Sequence, residues 1–68
     1  MCKEKIEEMR RTLIGATIRI VAMEGEPRYT DRVGVVKMID DLGQIHGTWG
    51  GCAIIPQTDD YVVIKKAN

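Results

Sequence analysis

Val33 to Ile55 reads VGVVKMIDDLGQIHGTWGGCAII, three short apolar runs separated by two turn signals, Asp40-Asp41-Leu42-Gly43 and Gly50-Gly51. Runs of this length between Asp and Gly clusters read as strands joined by tight turns, so the stretch predicts two consecutive hairpins. Along Val33–Ile39 the side chains alternate, with Gly34, Val36 and Met38 on one side and Val33, Val35, Lys37 and Ile39 on the other. Asp40 accepts local backbone hydrogen bonds and Gly43 takes positive φ, which reverses the chain. Gln44–Trp49 returns with Ile45, Gly47 and Trp49 on one face and Gln44, His46 and Thr48 on the other. With Ile45 and Trp49 in the core, His46 faces solvent. Gly50-Gly51 reverses the chain again, and Cys52–Ile55 is a further strand ended by Pro56, which has no N–H to give to a ladder.

Upstream, Thr17–Met23 alternates as a first strand, Ile18, Ile20 and Ala22 against Thr17, Arg19, Val21 and Met23. Downstream, Tyr61–Lys65 is a fifth strand after the polar connection Gln57–Asp60. Five short strands with a long first loop and tight later turns predict a mainly β fold, a five-stranded small closed barrel over residues 15–68, since closure removes aggregation-prone edges. Residues 1–14 precede it as an amphipathic helix. Ile6, Met9, Leu13 and Ile14 form a stripe, Glu4, Glu7 and Glu8 lie early, Arg10 and Arg11 late, and Gly15 is the stop. So short a helix is marginal alone and its stripe must rest on something. That support is the barrel or, as an oligomer interface, a second subunit.

The chain has 68 residues, 44% of them apolar, with no Phe and only Trp49, Tyr29 and Tyr61 aromatic. A domain of this size buries only about 60% of the surface its unfolded chain exposes, so one aliphatic core is all that it builds. Ten basic residues balance ten acidic ones. With no net field, electrostatic capture of nucleic acid is disfavoured, and little repulsion opposes self-association, so a homo-oligomer is expected. Cys2 and Cys52 stand far apart in sequence, which is neither a disulfide framework nor a metal-binding spacing. Met1–Arg11 is charged throughout, unlike a secretory leader, and no apolar run approaches the ~20 residues of a membrane span. The expected setting is cytoplasmic, without a membrane partner.

Gly34-Val35-Val36, Asp40-Asp41, Gly43, Ile45-His46 and Trp49, and more loosely Ile54-Ile55-Pro56 followed by Asp59 or Asp60, resemble a family of small bacterial and phage domains, domain of unknown function 4314. The likeness reaches upstream through Gly15 and the strand ending Met23-Glu24. It implies an SH3-like barrel, no assigned activity, and frequent residence in phage and other mobile elements, hence a host-cell cytoplasm. Two places depart from the family pattern: Tyr29-Thr30-Asp31-Arg32 stands where a Pro-Gly-Thr approach is usual, and Gly50-Gly51 replaces an Asp-Asn-Gly turn. A ligand held through those loops would not carry over.

No constellation commits the chain to a reaction. Adjacent residues of Asp40-Asp41 or Asp59-Asp60 point to opposite faces of a strand, so turn and cap roles explain them more cheaply than acid–base work. His46 and Cys52 have the types of a base and a nucleophile but lack an orienting group, and Cys52 reads as a small apolar residue. Gly47–Gly51 opens no helix, which removes phosphate-loop logic. No catalytic residue, metal or cofactor is expected. The binding candidates lie in and beside the loop Glu24–Arg32: Arg19, Arg28 and Arg32 to hold an anion and Tyr29 to stack on a planar group, with His46 and Trp49 as further ligand-facing candidates. An ordinary exposed loop and a core tryptophan are the competing readings.

These features favour a non-enzymatic binding protein of a phage or mobile element that occupies or sequesters a host molecule, a host protein or a small nucleotide-like ligand, with counter-defence as one form. The alternatives are a DNA- or RNA-binding barrel and a homo-oligomeric assembly module built on Ile6, Met9, Leu13 and Ile14.

Overall fold

The stripe, the acidic start and the basic finish of the N-terminal segment produce α1, Lys3–Leu13, in the computed structural model, which describes residues 2–67. Ile6 and Met9 are buried, and Arg10 ties the helix down by donating from Nε and Nη2 to the carbonyl of Ile39, at 3.0 and 2.9 Å. Gly15 ends the helix at φ 92°, a left-handed conformation open to glycine, and passes its N–H to Val36. The alternating segments then form β1 (Thr17–Ala22), β2 (Val33–Ile39), β3 (Ile45–Gly47) and β4 (Asp60–Lys65), with a 3₁₀ turn at Pro27–Tyr29.

The strands make one antiparallel sheet in the order β3-β2-β1-β4. This corrects the expectation of a closed five-stranded barrel: four strands form, and no strand covers the outer side of β4 among the described residues. The missing strand is Cys52–Ile55. Only Ile54 pairs, in one antiparallel bridge to Ile45 with N–H···O distances of 2.9 and 2.8 Å. Its neighbours are committed elsewhere, because the Cys52 carbonyl accepts the Trp49 indole N–H at 2.8 Å and the Ile55 N–H goes to Asp59 at 2.8 Å. Backbone groups satisfied by side chains are withdrawn from a ladder.

Ile18, Ile20, Val36, Ile39, Ile45 and Ile54 are fully buried, and Ile6, Met9, Met23, Tyr29 and Trp49 complete the core. Each large apolar side chain contributes roughly 1.5–3 kcal/mol by leaving water. The predicted alternation of β2 fails once, between Val36 and Met38, where the pairing with β3 shifts by a residue. The extra residue swaps the faces, so Met38 is exposed and Ile39 buried. Asp59 is the buried acid: its Oδ1 accepts the Glu24 N–H at 2.9 Å and the Thr58 hydroxyl, and its Oδ2 accepts the Ile55 N–H. One carboxylate thus joins the end of β1 to the turn that leads into β4.

Candidate functional site

The loop Glu24–Arg32 folds inward. Its 3₁₀ turn places Tyr29 in the core at 5% exposure, and Arg32 lies over the ring, 4.2 Å from its centre, while donating to the Trp49 carbonyl at 2.9 Å. Trp49 is itself 3% exposed. A Cβ on Gly47 would collide with that indole and the Val35 carbonyl, and one on Gly34 would come within 2.8 Å of the Thr48 hydroxyl and 3.0 Å of the ring. A Cβ on Gly50 would come within 2.9 Å of the Arg32 guanidinium and of the Tyr29 ring. Arg19 pairs with Asp31 at 2.8 Å, and Arg28 reaches Glu26 at 3.4 Å. Of the four residues expected to hold an anion and a planar group, Arg32 lies over the Tyr29 ring and at the Trp49 carbonyl, while Arg19 is half-exposed beside Asp31 and Arg28 is exposed beside Glu26. Trp49 is a core anchor and closed to a ligand.

His46 stands apart, at the β2–β3 turn. Its Nε2 lies 2.9 Å from Asp40 Oδ2, while Asp40 Oδ1 accepts the N–H groups of Leu42 and Gln44. These bonds, His46 first and Gln44 next, hold the Asp40 carboxyl below the usual carboxylate range. The half-exposed ring is a turn clasp. Cys52 makes no hydrogen bond to it; its carbonyl accepts the Trp49 indole N–H.

The helix stripe is absorbed by the chain's own core. Ile6 and Met9 are buried and Leu13 is packed against the same cluster, which leaves only Ile14 of the four expected interface residues exposed. Those three pack against the core of the same chain.

The surface that remains is β4. Among the described residues it pairs with β1 on one side only. A half-buried strand alternates, but of β4 only Tyr61 is half-covered; Val62, Val63 and Ile64 are 39, 43 and 54% exposed. Cross-strand partners point to the same side of a sheet, and the partners of β4 fix its faces. Tyr61 and Val63 oppose Ile20 and Ile18 and share the inner face. Asp60, Val62 and Lys65 oppose Ala22, Arg19 and Thr17 and share the outer one. Ile64 is the extra residue at a register shift, which is why Lys65 rather than Ile64 follows Val62 on the outer face. Val33 lies across Arg19 from Val62 and is exposed, so the outer face has an apolar row interrupted by one paired arginine. Against the inner face runs an open groove of about 430 Å³ lined by Arg11, Thr12, Leu13, Val63, Lys66 and Ala67.

Sequence reasoning missed β4 as a surface. The apolar run Tyr61–Ile64 has the appearance of a core strand, and the local sign against it is the pair Lys65-Lys66 that follows. No helix of the described residues is long and apolar enough to cross a membrane. No family model, curated protein or solved structure matches the chain.

Proposed function

We propose that the protein is a non-enzymatic binding module that takes up an extended segment of a protein partner as an added strand along β4. The observation that carries this reading is an apolar edge strand with its outer hydrogen-bonding side unpaired and three consecutive aliphatic residues exposed. Main-chain bonds to such an edge supply affinity, and alternate side chains supply selectivity. The complementary segment has a basic residue opposite Asp60, an apolar one opposite Val62 and an acidic one opposite Lys65. An edge of this kind without a partner invites aggregation, and natural proteins blunt theirs. The wiring, a meander whose last strand returns beside the first, supports reading the fold as an SH3-like barrel left open between β3 and β4. The phage-borne, host-cytoplasmic setting implied by the family resemblance accommodates a host protein as that partner. A nucleotide-like ligand is less favoured because Arg32 is taken up over Tyr29 and at the Trp49 carbonyl, and nucleic acid is less favoured on a chain of zero net charge.

Amide NMR with the labelled protein tests the proposal. A short peptide alternating threonine and valine between a terminal lysine and a terminal glutamate shifts the amides of Asp60–Lys65, and a nucleotide panel and duplex DNA at low salt shift none. Nucleotide-dependent shifts around Arg28 and Arg32, with β4 silent, overturn it.

A further inference from the structure

The outer face of β4 reads acidic, apolar, basic along the chain, through Asp60, Val62 and Lys65, because the shift at Ile64 brings Lys65 onto that face. A two-fold axis perpendicular to a sheet sets an edge strand antiparallel to its own copy, with one residue facing itself. Centred on Val62, that operation places Val62 against Val62 and each Asp60 against the Lys65 of the other copy. On the inner face it places Tyr61 against Val63, twice. Centred one position later, on Val63, it sets Lys65 against Val62 and leaves Asp60 displaced along the strand from Lys65. The pattern is therefore complementary to itself in one register.

Resting on the reading of β4 as a strand-accepting edge, we infer that the segment it accepts is β4 of a second copy of this chain. Two antiparallel β4 strands join the sheets into a continuous one of eight strands, ordered β3-β2-β1-β4 and then the same in reverse. Each copy covers the exposed Val62 and Val63 of the other, and two ion pairs close the ends of the seam. The zero net charge of the chain leaves no overall repulsion to oppose the encounter.

Sedimentation velocity on the full chain across a concentration series, with Asp60→Lys, Lys65→Asp and the double exchange, tests this, circular dichroism checking that each variant is folded. Wild type is expected to dimerise. Each single variant sets like charges against each other at both ends and weakens the dimer about tenfold, and the double exchange restores it. A dimer indifferent to all three variants places self-association elsewhere and overturns the inference. A strict monomer also overturns it, and the threonine–valine peptide then separates the two proposals: peptide shifts at β4 leave the strand-accepting edge standing with another partner, and silence removes both.

Discussion

The Tyr29–Arg32–Trp49 corner and the β4 edge are mirror images of what their compositions suggest. The corner grows from a charged loop, EGEPRYTDR, yet its aromatic rings are buried and its guanidinium groups are spent on a ring face, a carbonyl and carboxylates. The edge grows from the apolar run YVVI, yet it faces water. Arginine makes the first inversion feasible, since its planar cation stacks on an aromatic face and still donates in the plane. Strand order makes the second: a strand at the margin of a sheet has one neighbour, whatever its residues prefer.

If the corner is structural, its variants fail by unfolding. Trp49→Ala is the largest expected effect, a loss of about 3–5 kcal/mol in denaturant unfolding, because it removes both a buried ring and the donor to Cys52. A loss under about 1 kcal/mol would break the comparison. Asp59→Ala follows, at about 2–3 kcal/mol, since it leaves the N–H groups of Glu24 and Ile55 without their acceptor. Arg32→Ala is expected to cost about 1–2 kcal/mol through the lost stacking and the orphaned Trp49 carbonyl. Arg32→Lys should recover only part of it, as a point charge cannot do both. At the edge, Val62→Thr should leave the stability of the monomer within about 0.5 kcal/mol while reducing self-association. A large stability loss there would make the edge an unrecognised piece of core.

The smallest effect is a pH dependence at the turn. Asp40 has a folded-state pKa below its ordinary value of about 3.9, so its contribution is fully present above that value and is lost as pH falls through the folded pKa. Thermal unfolding of wild type and Asp40→Asn should therefore differ at pH 7 and converge below about pH 4. A gap that is independent of pH would dissolve the clasp with His46.

Much of the sheet was legible in the sequence. β2 begins and ends where its alternation places it, the Asp40–Gly43 reversal uses Asp40 as acceptor and Gly43 at φ 84°, and the helix stripe is where the spacing sets it. What was not legible depends on partners distant in sequence. The strand at Cys52–Ile55 dissolves because Trp49 and Asp59 claim its backbone, the turn of faces in β2 needs the shift against β3, and Tyr29 is buried through Arg32. Of the expected site residues, the arginines do converge with Tyr29 and Trp49, but local composition carries no sign of whether such a cluster opens outward or locks upon itself.

The lone bridge between Ile45 and Ile54 has a consequence for how large an assembly can grow. Its pair of hydrogen bonds occupies the outer side of Ile45, so the free margin at β3 is shorter than the six-residue one at β4. Under the proposed pairing of two β4 strands, the long margins would be used up against each other and only the short β3 margins would face outward, which favours a finite pair over a fibre.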